Sequence, residues 1–223
     1  MTGNLSVLIP FPITTIKSYH HFKISAREYV RKGKGNDFPR PDTCPFCGTA
    51  PTCLIGWGYY WRWVITQDGC YHIPIKLWKC RRQETGGYIS IQPTFLVPRK
   101  QCSFNVLYLL LRCIFLRGAD FATGLEAVIK HGERLSYQAV RQWVASLKSS
   151  CSRWIGILQG ELEAPVKRPA KSFRDPELAY LAAVLAEYLK SALTPVQRNR
   201  LHGILLNRYR GSPLTALAAV DLV

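Results

Sequence analysis

Apolar and polar side chains alternate most clearly on either side of Asp68-Gly69, between positions 57 and 78. Period-two alternation in runs rich in aromatic and β-branched residues predicts two strands, and Asp-Gly is a two-residue turn signal. With those two residues as the turn, Gln67 faces Cys70, Val64 faces Ile73, Tyr60 faces Leu77 and Trp57 faces Cys80. One face then carries Tyr60, Val64, Ile73, Ile75 and Leu77 as core. The other carries Trp57, Tyr59, Trp61, Trp63 and Trp78 with Lys76 and His72;.

From residue 103 onward the period changes to that of a helix. Ser103 is placed to cap a helix that Gly118 ends, with apolar positions almost all the way round, as expected of a central core helix;. Thr123 can cap a helix through about His131, and Ser136 a helix to about Lys148;. In the latter, Val140, Trp143, Val144 and Leu147 form an apolar stripe, which leaves Tyr137, Gln138, Arg141, Gln142 and Lys148 on the open face;. A short helix, a Gly-containing turn and a second helix with Arg and Gln outward is the layout of a helix-turn-helix, whose second helix enters the major groove. Arg suits guanine and Gln suits adenine. Asp175-Pro176 and Thr194-Pro195 each place a capping residue before a first-turn proline, starting two C-terminal helices;. The sequence leaves open whether that pair docks a partner or completes the core.

Cys44-Pro-Phe-Cys47-Gly48 has the spacing of a zinc knuckle, and the hairpin returns the chain to Cys80;. Three thiolates, Cys44, Cys47 and Cys80, are therefore candidate Zn2+ ligands. A second Cys-x-x-Cys would complete a ribbon, but the chain reads Cys80-Arg-Arg-Gln83, and glutamine is a poor zinc ligand;. Cys53 and Cys102 remain candidates to fold back as the fourth; a ribbon that has lost its metal is the competing reading;. Cys70 and His72 fall at the hairpin tip, too far from Cys80 to share a metal. Cys113 and Cys151 lie among apolar residues, as small core side chains do;.

Net charge is +16, and each segment of the chain is basic. Such a chain is drawn to polyanions, with nucleic acid first among them. Residues 1–40, including Arg31, Lys32 and Lys34, read as a basic arm that follows phosphates or as a solvated tail;. No apolar run is long enough for a membrane span, no signal peptide opens the sequence, and the expected location is the cytoplasm, on the nucleoid;. Fourteen acidic residues in no α/β pattern, with no P-loop or other catalytic motif, point away from an enzyme;.

The knuckle, the aromatic run Tyr60-Trp61-Arg62-Trp63-Val64, Lys79-Cys80-Arg81-Arg82, Pro93-x-Phe95-Leu96-x-Pro98 and Ser136-Tyr-x-x-Val140-Arg141-x-Trp143 together resemble a bacterial family of transposase-associated proteins with a zinc ribbon and a helix-turn-helix. The resemblance covers residues 44–147, and the chain departs from it at Gln83 and the lengthened stretch 84–87. It implies zinc in the ribbon and binding to duplex DNA at mobile-element ends, or descent from such a protein, with a transposase as possible partner. The expected fold is α+β, mostly α: an N-terminal zinc-ribbon β-hairpin, a helical helix-turn-helix bundle and a C-terminal helical hairpin. The segments are 1–40 (arm), 41–102 (ribbon), 103–163 (helix-turn-helix), 164–175 (linker) and 176–223. The expected function is non-catalytic DNA binding. The alternatives are an interaction subunit of a larger nucleic-acid-processing complex, and an RNA binder whose exposed aromatics stack on bases.

Overall fold

The computed structural model describes residues 14–49, 51–83, 87–98, 100–129, 137–169 and 175–210. Its centre is a four-stranded sheet rather than an isolated N-terminal hairpin, which corrects the expected architecture. Strands β1 (Thr14–His20), β2 (Leu54–Ile65), β3 (Cys70–Cys80) and β4 (Gly87–Pro93) lie in the order β1-β4-β3-β2, with β1 parallel to β4 and the other pairs antiparallel. Both added strands alternate in sequence, Thr-Thr-Ile-Lys-Ser-Tyr-His and Gly-Tyr-Ile-Ser-Ile-Gln-Pro. The first lies in the segment expected as a basic arm and the second starts at the end of the lengthened stretch 84–87; paired, they satisfy ladder groups that a two-stranded ribbon leaves open;.

The segment expected as a basic arm is thus structured from residue 14. Helix α1 (Ala26–Lys32) follows β1, capped by Ser25. It buries Tyr29 completely, and the Tyr29 hydroxyl donates to the Pro74 carbonyl at 2.8 Å. Tyr29 shares one apolar cluster with Val64, Ile73, Ile75, Phe95 and Leu96.

The hairpin register differs from the expected one by two residues near its tip. Thr66 to Gly69 form the loop, closed by the Thr66 N–H on the Gly69 carbonyl, so Ile65 faces Cys70, Tyr60 faces Ile75 and Gly58 faces Leu77. A two-residue shift preserves the faces, so Val64, Ile73 and Ile75 are still buried together;. A bulge at Gly56–Gly58 then moves the pairing by one more, and Leu54, not Trp57, faces Cys80;. Gly58 sits there at φ +125°, a conformation that L side chains rarely adopt;. Leu77 is only half-buried, and Trp78, expected on the open face, is buried beside Cys80.

Across the sheet, Arg62 donates to Gln92 Oε1 at 2.9 Å and to the carbonyls of Val97 and Lys100, while Gln92 donates to the Tyr60 hydroxyl at 3.1 Å. These bonds tie β2 to β4 and to the connector leading into the helices.

Helix α2 (Phe104–Leu111) begins at its Ser103 cap and widens into a π-turn over Arg112–Leu116 before Gly118. Asp120 rather than Thr123 caps α3 (Phe121–Val128), because its carboxylate accepts both the N–H and the hydroxyl of Thr123. Helices α4 (Tyr137–Lys148) and α5 (Cys151–Gln159) are separate, divided at Ser149-Ser150. Helix α6 (Pro176–Tyr188) is capped by Asp175, and α7 (Pro195–Arg210) opens on a reciprocal pair of bonds between Thr194 and Gln197;. One buried cluster runs through α2 to α7, so the C-terminal helices complete the helical core. Among the described residues, no helix is long and apolar enough to cross a membrane.

Candidate metal centre and nucleic-acid interface

The knuckle forms as its sequence dictates. The Gly48 N–H donates to the Cys44 carbonyl at 2.9 Å and the Cys44 N–H to the Thr49 carbonyl at 3.1 Å, with Gly48 at φ +66° completing the turn. This curls residues 44–49 so that Cys44 and Cys47 converge. The chain then makes a 3-10 turn over Pro51–Cys53 and enters β2, where Leu54 faces Cys80 and the Arg81 N–H donates to the Cys53 carbonyl at 2.9 Å. Cys53 is therefore held at the end of β3, beside Cys80.

The sulfurs of Cys44, Cys47, Cys53 and Cys80 all lie within 4.8 Å of one another. Cys47 Sγ is 3.4 Å from Cys53 Sγ and 3.8 Å from Cys80 Sγ. A tetrahedral zinc with Zn–S near 2.3 Å requires sulfurs about 3.8 Å apart. Four cysteines so placed can hold a metal ion. Cys53 thus stands where the sequence left the fourth ligand open, and Cys102 lies instead in the helical core, where burial pushes its thiol up to about 12.

Cys44, Cys53 and Cys80 are buried, with Leu54, Trp78, Ile89 and Ile91 around them; Cys47 is partly open. The Thr49 hydroxyl, 2.9 Å from Cys47 Sγ, is the main cause that lowers the Cys47 thiol to about 6, helped by the Thr49 main chain. Burial raises Cys44. At Cys53 the Thr49 hydroxyl acts downward, but burial and the neighbouring sulfurs outweigh it and the thiol is raised. The surroundings thus favour the thiolate at Cys47 and the thiol at Cys44 and Cys53, and metal binding would require deprotonated sulfurs;. Gly87 at the start of β4 lies directly under the knuckle: a Cβ there would come within 2.7 Å of the Phe46 ring.

The expected recognition helix is α4. Val140, Trp143 and Val144 are buried, Leu147 is half-buried, and Gln138, Arg141 and Gln142 are exposed. Lys148 is committed to a carboxylate, its ammonium 2.7 Å from Asp175, the residue that caps α6. Ser136 and the turn before it lie outside the described residues, as does the side chain of Tyr137. Arg31, exposed on α1, pairs with Glu28 at 2.6 Å; Lys32 and Lys34 are exposed beside it.

The hairpin adds a surface that the sequence suggested only in outline. Trp61 and Trp63 are 46% and 39% exposed, with His72 stacked on Trp63 at 4.6 Å and tilted against Trp61 at 5.2 Å. Trp57 is separated from this group by the bulge and sits instead under Lys79 and against Tyr88. No family model, curated protein or solved structure matches the chain.

Proposed function

We propose that the protein binds duplex DNA without acting on it chemically, as a transposon-associated or transposase-derived factor on the nucleoid. In this reading α4 enters the groove, and Zn2+ in the four-cysteine site pins the knuckle to the sheet. The observation that carries the reading is the division of α4 between a stripe anchored in the core and an exposed Gln138, Arg141 and Gln142, within a chain of net charge +16;. Arg can donate two bonds to guanine and Gln can donate one and accept one at adenine, so their placement on one face supports sequence reading rather than charge attraction alone. Zinc is the metal that the donor set favours, since four thiolates in a tetrahedron suit a soft, closed structural site.

Selection of bound duplexes from a random pool, made with the full chain, tests the DNA reading; a shared motif is expected. On a selected site, Arg141→Ala should lose about 1–3 kcal/mol of discrimination and leave the salt slope of non-specific binding in place. Neutralising Arg31, Lys32 and Lys34 together should weaken every duplex and lower that slope by about one per phosphate contact removed. An unenriched pool, or a motif and affinity untouched by Arg141→Ala and Gln142→Ala, would refute α4 as the reading element and favour a protein-docking role.

A further inference from the structure

We infer that the face of the β2–β3 hairpin bearing Trp61, Trp63 and His72 is a binding site for single-stranded DNA, with unpaired bases stacking on the two indoles. Exposed tryptophan is uncommon, and among the described residues the five large hydrophobic side chains most open to solvent include Trp57, Trp61 and Trp63;. The hairpin does not need the two indoles for anchorage, because its opposite face is held by Val64, Ile73 and Ile75, all fully buried.

Residues two apart on one strand face project side chains about 6.7 Å apart, close to twice the thickness of an aromatic ring. His72, opposite Trp63 on β3, stacks on that indole and leans against Trp61, so one imidazole touches both rings. A base that stacks on this face meets rings already held by a neighbour, which lowers the ordering cost of binding.

Charge identifies the occupant as a polyanion. The Lys76 ammonium stands 4.4 Å from the Tyr59 ring centroid and the Lys34 ammonium 5.6 Å from it, so cations lie directly beside the aromatic run. The only acidic residue in 51–83 is Asp68, at the tip, where Thr66 and Tyr71 already bond to it. Rings for bases beside cations for phosphates is an arrangement that holds single strands without reading sequence. A duplex keeps its bases stacked inside and has nothing to offer the indoles; the choice of DNA over RNA rests on the duplex-DNA reading proposed above.

The test uses the full zinc-loaded chain and a labelled oligo-dT of about 15 nucleotides, a length matched to one such surface. Anisotropy reports affinity, and tryptophan fluorescence reports stacking. Oligo-dT should bind and quench the tryptophan emission. Trp61→Ala and Trp63→Ala should each weaken it by roughly five-fold or more, while Trp61→Phe retains most of the affinity. Duplex affinity should stay within two-fold in these variants, and oligo-dT affinity should survive Arg141→Ala, so failure here is separable from failure of the α4 reading. Unchanged zinc content and melting temperature establish that the variants are folded. Alanine variants that keep wild-type oligo-dT affinity, binding without quenching, tighter binding of oligo-U than oligo-dT, or no binding of any single strand would each overturn the inference, the last leaving the face to a protein partner.

Discussion

Replacing Cys53 by Ser removes the fourth sulfur that the hairpin register brings to the end of β3, and with it the proposed closure of a zinc site. Cys44, Cys47 and Cys80 would remain, but a hydroxyl is a poor substitute for a thiolate in a buried site of this kind;. If free zinc stands about a thousand-fold above the dissociation constant, the bound ion stabilises the fold by about 4 kcal/mol, and most of that is lost when the site no longer closes. The buried cluster around the site should loosen as well, because Leu54, Trp78, Ile89 and Ile91 pack against the same four residues. Elemental analysis of protein made in zinc-supplemented medium should give about one zinc per chain for wild type and well under half for the variant. Urea unfolding in matched free zinc should show the midpoint fall. The control is Cys102→Ser, equally buried but in the helical core: it should cost some stability and keep the zinc. A Cys53→Ser protein that retains one zinc, or a wild type that carries none, would refute the site.

Further expectations follow from packing and from one buried imidazole. Ile75→Ala should destabilise by about 2–4 kcal/mol in urea unfolding, while Leu77→Ala, at a half-buried position, should cost clearly less;. Gly87→Ala should cost about 1–3 kcal/mol in the same assay because its Cβ meets the Phe46 ring, and Phe46→Leu in the same chain should recover part of it;. Thr49→Val should raise the zinc dissociation constant by about 10- to 100-fold, measured by competition with a chromophoric chelator, as loss of a partner to a ligand usually does;. His202 is buried against Phe104 and held neutral by burial, its pKa lowered to about 4 from 6.5. Above pH 6.5 it is neutral in both states. As pH falls from 6.5 to 4 the unfolded chain takes up the proton first, so up to about 3 kcal/mol of stability is lost over that window. His202→Gln should show a flatter loss over the same pH range, read as the difference between the two unfolding curves.

The helices were the most legible part of the chain, because their signals are local. Ser103, Asp175 and Thr194 each cap the helix that follows, and the stripe Val140, Trp143, Val144 is buried at helical spacing. Thr123 misled because the true cap, Asp120, lies three residues earlier and takes the Thr123 hydroxyl as a ligand. The sheet was less legible for a physical reason: the parallel pairing of β1 with β4 joins residues more than 70 positions apart, and no turn chemistry announces it;. Both strands alternate, but alternation does not say which strand is the neighbour.

The cysteine cluster shows how strand register selects among candidate residues. Asp68-Gly69 suggested a two-residue turn, but Thr66 closes a four-residue loop by bonding to Gly69 and Asp68, and the glycines around Trp57 add a bulge. Together these move the partner of Cys80 from Trp57 to Leu54, three residues or about 10 Å along the strand;. That shift decides between the two cysteines left open as the fourth member: the Cys53 carbonyl accepts the Arg81 N–H and its sulfur sits among the other three, while Cys102 lies in the helical core. Gln83 therefore does not need to coordinate anything: the chain forms its four-sulfur cluster with three cysteines from the first knuckle and its exit and one from the end of β3. The same bulge takes Trp57 away from Trp61 and Trp63 and places it with Lys79 and Tyr88. One irregularity in β2 thus sets both the closure of the cysteine cluster and the composition of the aromatic surface. A substitution that straightened it, such as Gly58→Val, would disturb both, and loss of zinc together with loss of oligo-dT quenching in that single variant would tie the two sites to one strand geometry;.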